Sequence, residues 1–226
     1  MKMKNMLIGG MSLALVACIS IGGTLAYLTA TAKSVTNTFT FVGKDSGYDG
    51  VINVKLEEDQ PALGEAYGGA TASLNAGNNG YDYKDVLPNQ ELPKEPKVSV
   101  HTNTDAYVFV RVTDAGTNLG VTAKMNSKEW IAVGEATTNK DGTKTQAYYY
   151  NEKVLKTDDG TDWDPITSPF TTVTVANIDT VKDGETVELN DVKIEIAAIQ
   201  SATFENQVKA YEALGDADWQ PVTAQP

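Results

Sequence analysis

Short runs of alternating side chains constrain this chain more than any other feature, because a period of two fits a β-strand and not a helix. In residues 34–41, serine and threonine alternate with Val35, Asn37, Phe39 and Phe41. Further strand-like runs are VINVKL, KVSV, AYVFVRV, WIAV, QAYYYN, TTVTVA, ETVEL and VKIEIAAI. Asp-Gly pairs, which tolerate the positive φ of tight turns, separate several of these runs. Many short strands without interleaved helices predict an all-β fold, a jelly-roll-like β-sandwich.

Two segments depart from this pattern within a single predicted sandwich domain at residues 44–215. Residues 57–96 are rich in Gly, Ala, Asn and Pro and have little to bury, so we expect a long loop insertion on the surface. Residues 203–215 predict a short C-terminal helix, which Thr203 would cap and Gly215 would end. Its apolar face would consist of Phe204, Val208, Tyr211 and Leu214.

The N-terminus has the layout of an export signal, and we interpret residues 1–26 as a signal peptide. Lys2 and Lys4 precede residues 6–28, which carry no charge and are mostly apolar or small.

The cleavage position follows from the need for small side chains at positions −3 and −1. Thr24 and Ala26 meet this need and predict a mature start at Tyr27. Ala30 and Ala32 fit as well and would place the start six residues further on. The sequence does not choose between them.

Two other interpretations of the N-terminus stay open. The motif LVAC matches a lipobox in which Cys18 would be acylated, although the chain stays apolar after it. Residues 6–28 are also long enough for a membrane anchor, although four glycines weaken this interpretation and no basic cluster follows.

Residues 216–226, the predicted C-terminal tail, contain no apolar stretch. We therefore expect a secreted chain with no membrane span after cleavage.

Charge narrows the possible partners. The formal net charge is −12, and loss of residues 1–26 removes two lysines and no acid, which leaves −14. A chain this acidic is not expected to bind nucleic acid or anionic lipid. Because Cys18 is the only cysteine, the cleaved chain would have neither a disulfide nor a catalytic thiol.

Candidate catalytic residues are scarce. A zinc hydrolase needs three protein ligands, usually including two histidines, but His101 is the only histidine. A Ser-His-Asp triad would have to use the same residue, which we place at a strand end beside Asp105. We therefore expect no enzyme, no catalytic residues and no cofactor.

Two clusters are weak candidates for binding. The run DDGTDWD holds Asp158, Asp159, Asp162 and Asp164, which could bind calcium, but its spacing differs from an EF-hand and also suits a solvated loop. The YYY run could stack against carbohydrate. In a strand, however, Tyr148 and Tyr150 face one side and Tyr149 the other, which favours ordinary packing.

Several of these motifs together resemble the TasA/camelysin family of Gram-positive bacteria. The first is GGTLAYLTATAKSVTNTFTFVG, and a second is LPNQELPKEPKVSVHTNTDAYVFVRV. The likeness continues in YYYNEKVL, SPFTTVTV and VKIEIAAIQSATFE. It is patchy but spans nearly all of the chain beyond the signal. The stretch 57–96 departs from the family in being longer and richer in Gly and Asn.

The resemblance implies a jelly-roll subunit of extracellular biofilm matrix fibres, cut during export by a SipW-type signal peptidase. It also implies a head-to-tail homopolymer, in which residues 27–43 of one subunit add a donor strand to the next. The alternation itself supports such a strand, with Val35, Asn37, Phe39 and Phe41 on its inward face. Pairing of this strand within its own domain stays open. So does a monomeric binding module, an adhesin or glycan binder; a hydrolase is the least supported alternative. Camelysin was named as a metalloprotease, but His101 alone gives that activity no visible metal site.

Overall fold

The computed structural model of the chain describes residues 52–63, 65–74, 80–116, 118–156, 163–177, 189–215, 219–221 and 223–224. Strands predominate in these ranges, as the alternating pattern predicts. They are β1 Ile52–Glu58, β2 Thr71–Leu74, β3 Tyr81–Lys84, β4 Glu91–Pro93, β5 Pro96–Thr102, β6 Ala106–Asp114, β7 Val121–Ala123, β8 Trp130–Thr138, β9 Lys144–Tyr150, β10 Asp164–Ile166, β11 Thr172–Val175, β12 Lys193–Gln200, β13 Gln220–Pro221 and β14 Thr223–Ala224. Helix α1 spans Gln207–Tyr211, and a 3-10 turn lies at Glu65–Tyr67.

The strands form three larger sheets and one hairpin. The four-stranded sheet has the order β10-β5-β1-β14, and the five-stranded sheet has the order β13-β12-β6-β9-β8. A three-stranded sheet, β4-β11-β7, and the hairpin β2-β3 complete the fold. Neighbouring strands run antiparallel except β14, which runs parallel to β1.

The main core lies between the five-stranded sheet and the other two larger sheets, because all three contribute inward side chains to one cluster. The deepest of these side chains are at most 2% exposed; they include Val54, Val98, Val108, Val110, Val173 and Ile196. Trp130 belongs to the same cluster, and its indole N–H donates to the Thr167 carbonyl at 2.9 Å. Sheets packed face to face confirm the predicted all-β sandwich.

A second apolar cluster covers the opposite face of the five-stranded sheet. It contains Phe109 and Ile199, both fully buried, together with Ala210 of α1 and Trp219. Strand β6 is therefore buried on both faces, which explains why its sequence AYVFV is continuously apolar rather than alternating.

The C-terminal helix is present but shorter than predicted. Asn206, not Thr203, is its N-cap, because Asn206 is extended and its side chain accepts the backbone N–H of Lys209 at 3.0 Å. The residues before it form a separate turn, closed by the bond from the Phe204 N–H to the Ser201 carbonyl. Val208 does not join the buried face and is 44% exposed. The other predicted face residues, Phe204, Tyr211 and Leu214, pack against the second cluster.

The stretch 57–96 holds more regular structure than a loop insertion. Its described residues include the hairpin β2-β3 and strand β4, which pairs with β11. Tyr83 ties the hairpin to the sandwich, because its hydroxyl donates to the Pro93 carbonyl at 2.8 Å. Of these contacts, the pairing of β4 with β11 joins residues about 80 positions apart in the chain, which local composition does not reveal.

Candidate functional site

The feature with most functional potential is one edge of strand β1. On one side, β1 pairs with β5 along its whole length, from Ile52↔Thr102 to Glu58↔Pro96. On the other side, β14 pairs only with Glu57 and Glu58. Among the described residues, Ile52–Leu56 therefore have no strand partner on that side. We call this side of β1 the β1 edge.

The β1 edge borders a well-packed core. Ile52, Val54 and Leu56 point inward and are at most 9% exposed, whereas the residues between them are half-buried. Such an edge presents backbone donors and acceptors in a row and continues an apolar layer, which is what an added strand requires.

Strand β12 of the facing sheet lies nearby, and among the described residues its side away from β6 is also only partly paired. Strand β12 packs close to β1, and β13 covers it only at Glu195 and Ile196. A single residue separates Pro221 of β13 from Thr223 of β14, so the Cα atoms of these two residues lie within about 7 Å of each other. The C-terminal segment thus crosses from the edge of one sheet to the edge of the other. We call its described residues, 219–221 and 223–224, the strap.

The strap is anchored at its start. Trp219 is 8% exposed in the second cluster, and the Arg111 guanidinium lies 4.9 Å from its ring centroid. Arg111 in turn donates to Glu195 at 2.7 Å, which fixes the guanidinium over the indole. The sequence predicted a C-terminal tail for the strap and did not reveal that Trp219 packs against the second cluster. The only signal for this contact was an isolated tryptophan in a polar segment.

A buried ion pair lies where the strap meets β1. Lys94 Nζ donates to both carboxylate oxygens of Glu58, at 2.6 and 2.8 Å, and the Glu58 side chain is 1% exposed. Tyr83 is close by; burial, and then the negative charge of Glu58, raise the pKa of its hydroxyl far above the ordinary value. The same two causes raise the pKa of Tyr81. Both phenols are therefore protonated at neutral pH, and that of Tyr83 donates to the Pro93 carbonyl.

Most residues of the predicted sites lie outside the described ranges. This holds for the cleavage residues Thr24, Ala26 and Tyr27 and for the donor strand residues Val35, Asn37, Phe39 and Phe41. It also holds for Asp158, Asp159 and Asp162 of the calcium candidate. Its fourth member, Asp164, is exposed at the start of β10 and pairs with Val100. In the described part of the chain, no three or more His, Cys, Asp or Glu side chains form a metal-binding group.

The histidine and the tyrosines have structural partners. His101 lies within β5 opposite Asn53, with its ring 5.8 Å from that of Trp163. Asp105 forms an ion pair with Lys153 at 2.8 Å.

In the YYY run, Tyr148 and Tyr150 pack on the main core and Tyr149 packs on the second cluster, which confirms the predicted alternation.

The comparisons with known proteins add no relative. No family model matches the chain, and neither curated proteins nor solved structures give a match. Within the described ranges, no helix is long and apolar enough to cross a membrane. The geometry of the β1 edge therefore carries the functional argument.

Proposed function

We propose that this protein is a secreted structural subunit of extracellular matrix fibres, and that it polymerises when residues 27–43 of one subunit pair with the β1 edge of the next. The protein acts as a building block and not as an enzyme. A SipW-type signal peptidase would release the N-terminal segment during export, and the product would be a head-to-tail homopolymer.

The observation that carries the proposal is the incomplete pairing of β1. A β-sandwich normally covers its edge strands or makes them unsuitable for pairing, since an open row of backbone groups pairs readily with another chain. Here the five residues Ile52–Leu56 lack a described partner on one side, next to a core whose side chains are at most 9% exposed.

The N-terminal segment has the length and pattern of the missing strand. Residues 34–41 span eight positions, and β1 spans seven. Val35, Phe39 and Phe41 recur on one face of this segment, as a strand extending the apolar layer requires, and the threonines on the other face suit solvent.

Addition between subunits would give a fibre because the donor and the acceptor are different surfaces. Such heterologous contacts need not close into a ring, and an open series of them is a filament. The ten residues between Phe41 and Ile52 would also allow the segment to fold back on its own β1, and amide hydrogen exchange of the monomer at Ile52–Leu56 separates this intramolecular pairing from exchange between subunits.

The test compares charge placed on the two faces of the donor segment. We expect the mature chain to form fibres visible by electron microscopy, and deletion of residues 27–42 to leave folded, soluble subunits. Phe39→Asp with Phe41→Asp should also abolish fibres, because two carboxylates would enter the core. The matched control, Thr38→Asp with Thr40→Asp, adds the same charge on the solvent face and should retain fibres.

Two results would overturn the proposal. One is fibres that persist after the deletion. The other is a mature chain that stays monomeric at high concentration, which would favour a monomeric binding module. The structure weakens one basis for that alternative, because Tyr148–Tyr150 pack in the two apolar clusters instead of forming an exposed platform.

A further inference from the structure

The strap occupies part of the same edge that the proposed assembly uses. Strand β14 pairs with Glu57 and Glu58, the last two residues of β1, and the other five have no strand partner on that side within the described part of the chain. A donor strand of eight residues needs all seven positions of β1 to pair fully. Donor and strap therefore compete for the backbone of the same two residues.

The strap is held weakly at the edges and firmly at its anchor. It contributes only two residues to each sheet edge, and one of these, Pro221, has no backbone N–H to donate. Trp219, by contrast, is buried under Arg111 on the outer face of the five-stranded sheet. The segment after Trp219 can therefore leave both edges while Trp219 stays in place.

We propose that the strap is an autoinhibitory element that shields the β1 edge in the free subunit and is displaced by an incoming donor strand. This inference rests on the proposed function, because it concerns the regulation of the same site. Displacement replaces the two-residue pairings of β13 and β14 by one continuous donor strand on β1. Because the donor makes more backbone hydrogen bonds than the strap, the strap delays assembly without preventing it. Its release also frees the edge of β12 at Glu195 and Ile196.

A reversible lock tests the inference directly. Glu57 and Thr223 are Cα partners in the parallel pair, and adjacent strands are about 4.8 Å apart, which is within the range that a disulfide can bridge. The double variant Glu57→Cys with Thr223→Cys therefore fixes the strap when oxidised and frees it when reduced. The cleaved chain has no other cysteine that would interfere, since Cys18 lies in the signal.

The probe is a fluorescent peptide with the sequence SVTNTFTFV, residues 34–42, and the receptor is the chain lacking residues 27–42. We expect the oxidised lock to bind the peptide at least tenfold more weakly than the same variant reduced. Glu57→Ser with Thr223→Ser is the matched control and should be insensitive to oxidant. Removal of residues 220–226, which keeps Trp219, should strengthen peptide binding about tenfold. The peptide then no longer has to displace the strap, whose pairing with β1 is worth one or two net hydrogen bonds. In the mature chain, the same truncation should shorten the lag before fibres form.

The outcomes separate this inference from the function on which it rests. Equal peptide binding by the oxidised lock, the reduced lock and the truncated chain would show that the edge accepts a strand but that the strap does not regulate it. That result would overturn this inference alone. If no variant binds the peptide and the mature chain forms no fibres, both the inference and the proposed function fail.

Discussion

Replacement of Lys94 by methionine should destabilise the fold strongly, because it leaves the Glu58 carboxylate buried without its cation. The Glu58 side chain is 1% exposed, and both of its oxygens accept from Lys94 Nζ. Breaking a buried ion pair in this way costs about 3–5 kcal/mol. This is a large share of the roughly 5–15 kcal/mol that stabilises a typical domain.

Urea denaturation of dilute mature protein measures the effect. With a denaturant slope of about 2 kcal/mol per molar urea, the midpoint should fall by about 2 M. The matched control is the double variant Glu58→Leu with Lys94→Met, which replaces the whole pair by apolar side chains and should recover most of the loss. A Lys94→Met midpoint within about 0.5 M of the parent would refute the reasoning, as would a double variant no more stable than the single one.

Three smaller perturbations test other parts of the structure. Asn206→Ala should cost about 1 kcal/mol by removing the cap that accepts the Lys209 N–H, and Asn206→Ser should restore it, both read from denaturation midpoints. Gly134→Ala should cost more than about 1–2 kcal/mol, because φ there is +68° and the new Cβ would lie 3.1 Å from Tyr211; Gly69→Ala, at φ +91° with no neighbour within 4 Å, should show the backbone strain alone. Asp105→Asn tests a pH dependence: the hydrogen bond from Lys153, and then that from the Lys156 N–H, lower the Asp105 pKa. The ionised Asp105 carboxylate therefore stabilises the folded state above the pKa that Asp105 has in the unfolded chain, and this stabilisation is lost as the pH falls through the lower pKa of the folded state. The variant should be less stable than the parent by under about 1 kcal/mol at pH 7 and equally stable in strong acid.

The alternating pattern was sufficient to predict strands β1, β5, β6, β8, β9, β11 and β12 of the sandwich, but not the short strands β4, β7, β10, β13 and β14. Strand β12 shows why, because Ile194, Ile196 and Ala198 face the main core while Glu195 faces the other way. Strand β6 was predicted from AYVFVRV as well, but its run AYVFV is apolar on both faces because both are buried, so the sequence does not show which face meets the main core.

The sequence could not reveal the candidate site for a different reason. A sheet edge is defined by which strand has no neighbour, and this depends on pairings between residues far apart in the chain. Glu57 meets Lys97 on one side and Thr223 on the other, and neither partner is evident from local composition. The ion pair of Glu58 with Lys94 and the docking of Trp219 are hidden in the same way.

Amide hydrogen exchange at Ile52–Leu56, measured in the mature chain before and after fibre formation, tests most directly whether the β1 edge receives the strand of a neighbouring subunit. The amides that face away from β5 should exchange quickly in the dilute monomer and at least about tenfold more slowly in the fibre, because they gain a backbone acceptor only on assembly. Protection already present in the monomer would show that the segment pairs within its own chain. Exchange that stays fast in the fibre would show that assembly uses another surface.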